Sequence, residues 1–193
     1  MNGYDELGIN WIDTAAISGE GRSEVLVAQA MQAIPPGDRP LIATKCGRVA
    51  VGNGEIRNSL RRESVISECE ASLQRLKVDR IDLFQLHWPE PDAEIEEGWQ
   101  ALVDLKSQGE VGHIGVSNHS VSQMERLQKI HPLTSLQPPY SMIARDVESE
   151  ILPWCGRNQI GVLCYSPMGK GLLTGGFTAD TGGSAVRARP PQP

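Results

Sequence analysis

The sequence is short of cysteine, of long apolar runs and of positive charge. Its four cysteines are Cys46, Cys69, Cys155 and Cys164. They are too far apart to make a C-x-x-C pair, so neither a zinc site nor a disulfide framework is indicated. Reduced, mostly buried thiols are expected instead. There is no apolar stretch of about 20 residues to span a bilayer. The opening residues carry acids such as Asp5 and Glu6 rather than the basic, then apolar, then small-residue order of a leader. A cytoplasmic location and no membrane partner are therefore expected. Lys and Arg number 18 against 24 Asp and Glu, for a formal net charge of −6. That balance argues against nucleic acid as a partner, because phosphate binding needs clustered cations.

What is present is an ordinary globular composition. Of 193 residues, 39% are hydrophobic and 22% charged, enough apolar surface to offset the entropy of ordering the chain. Strand and helix signals alternate, the pattern of βα units around a parallel sheet. Strands are predicted at Ile9–Asp13, Leu41–Thr44, Ile81–Leu86, Val111–Val116, Leu133–Leu136 and Gln159–Tyr165. Helices follow from the spacing of Val65, Cys69, Leu73 and Leu76, of Ile95, Trp99 and Leu102, and of Val147, Ile151 and Trp154. Ser120 and Gln123 form a capping-box pair, and Gly109 stops the helix ending near Lys106. One domain over residues 1–177 is expected, opening on the last turns of a helix. The Gly-, Pro- and Arg-rich stretch 178–193 reads as a disordered tail.

In parallel α/β folds, functional side chains gather where the strands end and the βα loops begin. The predicted strand ends carry Asp13, Lys45, His87, Ser117 with Asn118, Gln137, and Tyr165 with Ser166. Any one of them alone is most often a solvated or structural residue. Six polar ends in succession are not what a purely structural rim requires.

These residues sit in segments that resemble the signature blocks of the aldo-keto reductases. The segments GINWIDTAA, LIATKCG, SLQRLKVDRIDLFQLHWP, VGHIGVSN, SLQPPYS and GVLCYSPMGKGLLTG occur in the family's order from Gly8 to about Gly176. SLQRLKVDRIDLFQLHWP is the most specific of them. The resemblance implies an α/β fold of the (β/α)8 TIM-barrel type, here cut to about six βα units, the family's strands 2 to 7. It also implies an enzyme that uses a nicotinamide cofactor, NADPH with NAD not excluded, to reduce small carbonyl compounds to alcohols. Six strands would leave two unpaired edges, and self-association through them is expected.

Carried over position by position, the family's catalytic Asp, Lys and His fall on Asp13, Lys45 and His87. The family's catalytic Tyr, the proton donor, falls on Ser18, because D-T-A-x-x-Y-G reads here as Asp13-Thr14-Ala15-Ala16-Ile17-Ser18-Gly19. A serine hydroxyl is a far weaker acid than a phenol and one ring shorter. Tyr4, Tyr140 and Tyr165, the only tyrosines, lie elsewhere. Three readings stay open. The chain is an altered copy of an active enzyme, a cofactor-binding protein without catalysis, or an enzyme protonating through His87 or a water. By the same resemblance Ser117, Asn118 and Gln137 would bond the nicotinamide carboxamide and Tyr165 would stack on its ring. Ser166, Met168, Gly169 and Gly171 would line the pyrophosphate, and Trp88 would border the substrate. A phosphate-handling isomerase or lyase on the same kind of barrel is the more distant alternative.

Overall fold

Short aliphatic runs become strands, and the amphipathic stretches between them become helices covering one side of the resulting sheet. The computed structural model describes residues 8–175. The expected N-terminal helical turns and the tail at 178–193 lie outside the described residues. In chain order the elements are β1 (Trp11–Asp13), α1 (Arg22–Gln32), β2 (Leu41–Cys46), β3 (Arg48–Gly52), β4 (Glu55–Asn58), α2 (Arg62–Leu76) and β5 (Ile81–Leu86). They continue with α3 (Ile95–Gln108), β6 (Val111–Ser117), α4 (Val121–Gln128), β7 (Ser135–Gln137), α5 (Ile151–Arg157) and β8 (Gly161–Val162).

Six strands form one parallel sheet in the order β1-β2-β5-β6-β7-β8, the half-barrel that the sequence reading anticipates. The strands β3 and β4 form a separate antiparallel hairpin. The sequence reading has no hairpin there, although Asn53-Gly54 at its tip is a strong turn signal. Both tip residues have positive φ, 53° and 78°, as a two-residue hairpin turn demands.

Two other expectations shift. Val147 belongs to a 3-10 turn at Asp146–Glu148, separate from α5, so Val147, Ile151 and Trp154 do not share one helix. Glu150 departs from helical geometry between them, at φ −135°. The last strand shrinks from Gln159–Tyr165 to Gly161–Val162, with Tyr165 keeping only an isolated bridge to Pro139. The predicted caps are present. Ser120 Oγ accepts the Gln123 N–H while the Gln123 side chain accepts the Ser120 N–H. Gly109 closes α3 at φ 87°.

Strand residues alternate in direction, so the parallel register sorts them into two faces. Ile42, Phe84, Leu86, Ile114, Val116 and Leu136 face outward and pack against Val65, Cys69 and Leu76 of α2, Trp99, Leu102 and Leu105 of α3, and Met124 and Leu127 of α4. Leu73 is only partly buried against this core. Each fully buried large side chain there contributes about 1.5–3 kcal/mol. The other face carries Asp13, Lys45, Gln85, Ser117 and Gln137, aligned through the pairings Lys45↔Gln85, Gln85↔Gly115, Gly115↔Ser135 and Ser117↔Gln137. Gly115 has a packing reason to be glycine, since a Cβ there would lie 2.1 Å from Ser135 Oγ.

Cys46, Cys69 and Cys155 are buried and Cys164 is exposed, all as free thiols. Among the described residues no helix is long and apolar enough to cross a membrane, and no cluster of metal-ligating side chains occurs.

Candidate active site

The C-terminal ends of the strands surround a cleft of about 370 Å³. Into it converge Asp13, Ser18, Lys45, His87, Trp88, Ser117, Asn118, Gln137 and Tyr165, together with Thr14, Ala15, Ser23 and Arg48. Nine of the residues singled out in the sequence thus meet in one place. Ser166, Met168, Gly169 and Gly171 do not line it. They lie in the turn that follows, where the Gly169 N–H bonds the Ser166 carbonyl and the Gly171 N–H bonds the Met168 carbonyl. Gly169 has φ 57°, a left-handed conformation that a side chain would strain, so the turn itself is a sufficient reason for that glycine.

Lys45 is 4% exposed. Its ammonium donates to Asp13 Oδ1 at 2.8 Å, to Asp13 Oδ2 at 2.9 Å and to the Thr14 carbonyl at 2.8 Å. Every donor of the cation therefore has an acceptor, and the pairing holds a charge in a site where it would otherwise be costly to bury. Directly behind it, Thr44 donates to Glu24 Oε1 at 2.7 Å and Arg75 Nε donates to Glu24 Oε2 at 2.6 Å. Glu24 is fully buried, so β2, α1 and α2 share one carboxylate. The Arg75 side chain lies under Gly21, where a Cβ would come within 2.7 Å of its Cδ. With φ 88° as well, the start of α1 is restricted to glycine. This brace sets the Ala15–Gly21 loop that carries Ser18.

Ser18 lies on the rim of the cleft and is exposed. Its backbone N–H bonds the Ala15 carbonyl and its own carbonyl accepts from the Ser23 N–H. The loop therefore keeps a fixed geometry without its side chain. Thr14 and Ser23 hydroxyls meet at 2.7 Å on the inner side of the same loop.

The far wall is organised by Asn118, held at φ 63°. Its amide nitrogen donates to the His87 carbonyl at 3.1 Å and to Ser117 Oγ at 3.0 Å, while its Oδ1 accepts the Tyr165 hydroxyl at 2.9 Å. Ser117 Oγ in turn donates to the Gln137 carbonyl at 2.8 Å. The amide hydrogens of Asn118 are spent inside the protein, which leaves it an acceptor lone pair for a ligand. The Gln137 carboxamide is different: it is nearly buried and makes no side-chain hydrogen bond among the described residues.

His87 Nδ1 is buried without a hydrogen-bond partner among the described residues. Burial, with the Lys45 and then Arg48 charges nearby, lowers its pKa to about 3. The ring is neutral at physiological pH. An unpaired acceptor nitrogen is cheaper to bury than an unpaired N–H, so the proton belongs on Nε2, where His87 can act as a donor.

Arg48, which sequence reasoning passed over, also lines the cleft. The signal for it was a cation three residues beyond Lys45, across a turn that Gly47 permits at φ 90°.

The sequence profile of the aldo/keto reductase family matches residues 1–192. The chain is 38% identical over 94% of its length to the NADH-specific methylglyoxal reductase of Escherichia coli, spanning 59% of that protein. It superposes on the glycerol dehydrogenase of Gluconobacter oxydans with a TM-score of 0.92 at 37% identity, covering all of this chain and 59% of the other. An aldo-keto reductase of Klebsiella pneumoniae solved with NADPH superposes with a TM-score of 0.75 at 29% identity, over 91% of this chain and 58% of that one. The chain spans about half to three fifths of the length of the curated relatives it matches. With its half-barrel and its row of polar strand ends, the chain belongs to the aldo-keto reductase family.

Proposed function

We propose that the cleft binds a nicotinamide cofactor and a small carbonyl compound, and that the protein to which this chain belongs reduces that carbonyl to an alcohol in the cytoplasm. The observation that carries this reading is the saturated Asp13–Lys45 pair beside a neutral His87, in one cleft with an unpaired Gln137 carboxamide. The residues present suit the nicotinamide end of the cofactor. Gln137 offers both a donor and an acceptor to a carboxamide, and Asn118 Oδ1 retains a lone pair. Tyr165, anchored through its hydroxyl, presents a ring for stacking. When bound, the reduced nicotinamide would supply a hydride to the carbonyl carbon. NADPH is the proposed cofactor, with NADH as the comparison.

As negative charge grows on the carbonyl oxygen, the Nε2–H of His87 stabilises it by hydrogen bonding. Lys45 contributes its positive charge from a position that Asp13 and the Thr14 carbonyl hold still. The proton that completes the alcohol needs an acid, and Ser18 is a poor one at neutral pH. A second reading, cofactor binding without turnover, is favoured by this one residue.

Both readings are tested by following oxidation of NADPH and of NADH with propanal, in the wild type and in Ser18→Tyr. A gain of about 10²- to 10⁴-fold in the variant is expected from adding a general acid. Binding of the cofactor with no turnover in the wild type supports the second reading. A tyrosine variant that gains nothing while NADPH binds would overturn the assignment of Ser18 to the proton-donor position.

A further inference from the structure

Three arginines among the described residues are half-buried: Arg48, Arg75 and Arg126. Arg75 is paired with Glu24, and Arg126 with Asp92 and Glu96. Among the described residues Arg48 has no carboxylate within ion-pair distance, and its buried Nε has no hydrogen-bond partner. A guanidinium keeps its charge at any physiological pH and presents a planar fork of donors. An unpaired fork facing a catalytic cleft is therefore a vacancy for an anion.

The backbone fixes where that fork sits. Arg48 opens β3 and pairs across the hairpin with Asn58. The turn before it is pinned twice. The Gly47 N–H is held at 3.1 Å by both oxygens of Glu68, and a Cβ on Gly47 would lie 2.5 Å from Leu60 Cδ2. Glu68, which shares a neighbouring hollow with Arg48, is thus engaged by backbone rather than by the guanidinium. Arg48 lines the same cleft as Asp13, Lys45, His87 and Trp88, and its charge reaches the His87 ring.

We infer that Arg48 is a specificity-determining residue that receives the carboxylate of an oxo-acid substrate, with the reacting carbonyl held beside His87. This rests on the carbonyl-reduction reading for the second half of the statement, but the anion-binding half stands independently. A carboxylate matches the guanidinium fork with two parallel hydrogen bonds, whereas an uncharged aldehyde leaves the fork unpaired.

The test measures binding first. Butanoate and butyramide, of equal size and different charge, are titrated into the chain and followed by ligand-observed NMR. The wild type is expected to bind butanoate more tightly than butyramide, by on the order of ten- to a hundredfold. Arg48→Gln removes that preference, and Arg48→Lys, which keeps the charge but not the fork, restores part of it. Equal binding of the two probes by the wild type overturns the inference without relying on any variant. So does a loss of NADPH affinity in a folded Arg48→Gln chain with the butanoate preference intact, since Arg48 then serves the cofactor. Turnover is read separately in the Ser18→Tyr background. There the kcat/KM ratio of 4-oxobutanoate to butanal is expected to fall at least tenfold on Arg48→Gln. If that background turns over nothing while butanoate still discriminates, the reductase reading fails and the anion site survives.

Discussion

On the β1–β2 side of the cleft the Lys45 ammonium holds three oxygens and the buried Glu24 joins Thr44 to Arg75. On the hairpin and β5–β7 side, by contrast, His87 Nδ1, Arg48 Nε and the Gln137 carboxamide have no hydrogen-bond partner among the described residues. The first side has spent its hydrogen-bonding capacity on itself and acts as a brace. The second keeps capacity in reserve, at a cost in stability, and that reserve is what a ligand can use. Ser18 sits on the braced side but contributes no side-chain bond to it, so the geometry of its loop does not depend on the side chain at that position.

The contrast breaks most dramatically at Ser18. Placing a phenol there is expected to change turnover by about 10²- to 10⁴-fold with little change in melting temperature, because the loop geometry rests on backbone bonds. Next in size is the brace. Glu24→Ala leaves Arg75 without its carboxylate and is expected to cost about 3 kcal/mol, measured by urea unfolding. A loss much smaller than that would mean that α1 and α2 are held by packing alone.

A third prediction compares buried groups by pH. Burial lowers His87 to about 3 and His119 to about 4, and raises Glu68 to about 7. Between about pH 4.5 and 6.5 the unfolded chain protonates both histidines but not Glu68, while the folded chain protonates only Glu68. The unfolded state then binds one proton more, so these groups make stability rise with pH by about 1.4 kcal/mol per unit. From about pH 6.5 to 7 only Glu68 still titrates, and its contribution falls as pH rises. In Glu68→Gln the net difference in the lower window becomes two protons. The slope should therefore double there, and the decline above pH 6.5 should vanish. An unchanged slope in denaturation across this range would show that Glu68 is not buried in its protonated form. The smallest effect belongs to the unspent side. Gln137→Leu is expected to weaken NADPH binding by about tenfold, read by fluorescence quenching, without lowering stability.

Much of this was legible in sequence. All six parallel strands were, because each lies in a short apolar run with a polar residue at or near its end, although β8 proved shorter than expected, and the capping box at Ser120 needs only local chemistry. The strand ends could be read as a set because a parallel sheet delivers every C-terminal end to the same side. Arg48 was missed with its hairpin, since a cation after a strand end is ordinarily solvated and only the fold around Gly47 turns it inward. In the turn after Tyr165, Gly169 and Gly171 have positive φ and their N–H groups bond the Ser166 and Met168 carbonyls, an arrangement that composition does not reveal.

The sequence by itself determined the order of the parallel strands and which residue types stand near their ends, because periodicity and local capping are written in neighbouring residues, and its signature segments carried the resemblance to the family. Only the tertiary structure decided which of those polar groups are already satisfied. That depends on partners such as Thr44, Glu24 and Arg75, or Ser117, Asn118 and Tyr165, brought together from distant parts of the chain. Hydrogen-bond saturation is a property of three-dimensional neighbours, and it is saturation that separates the brace from the proposed binding surface.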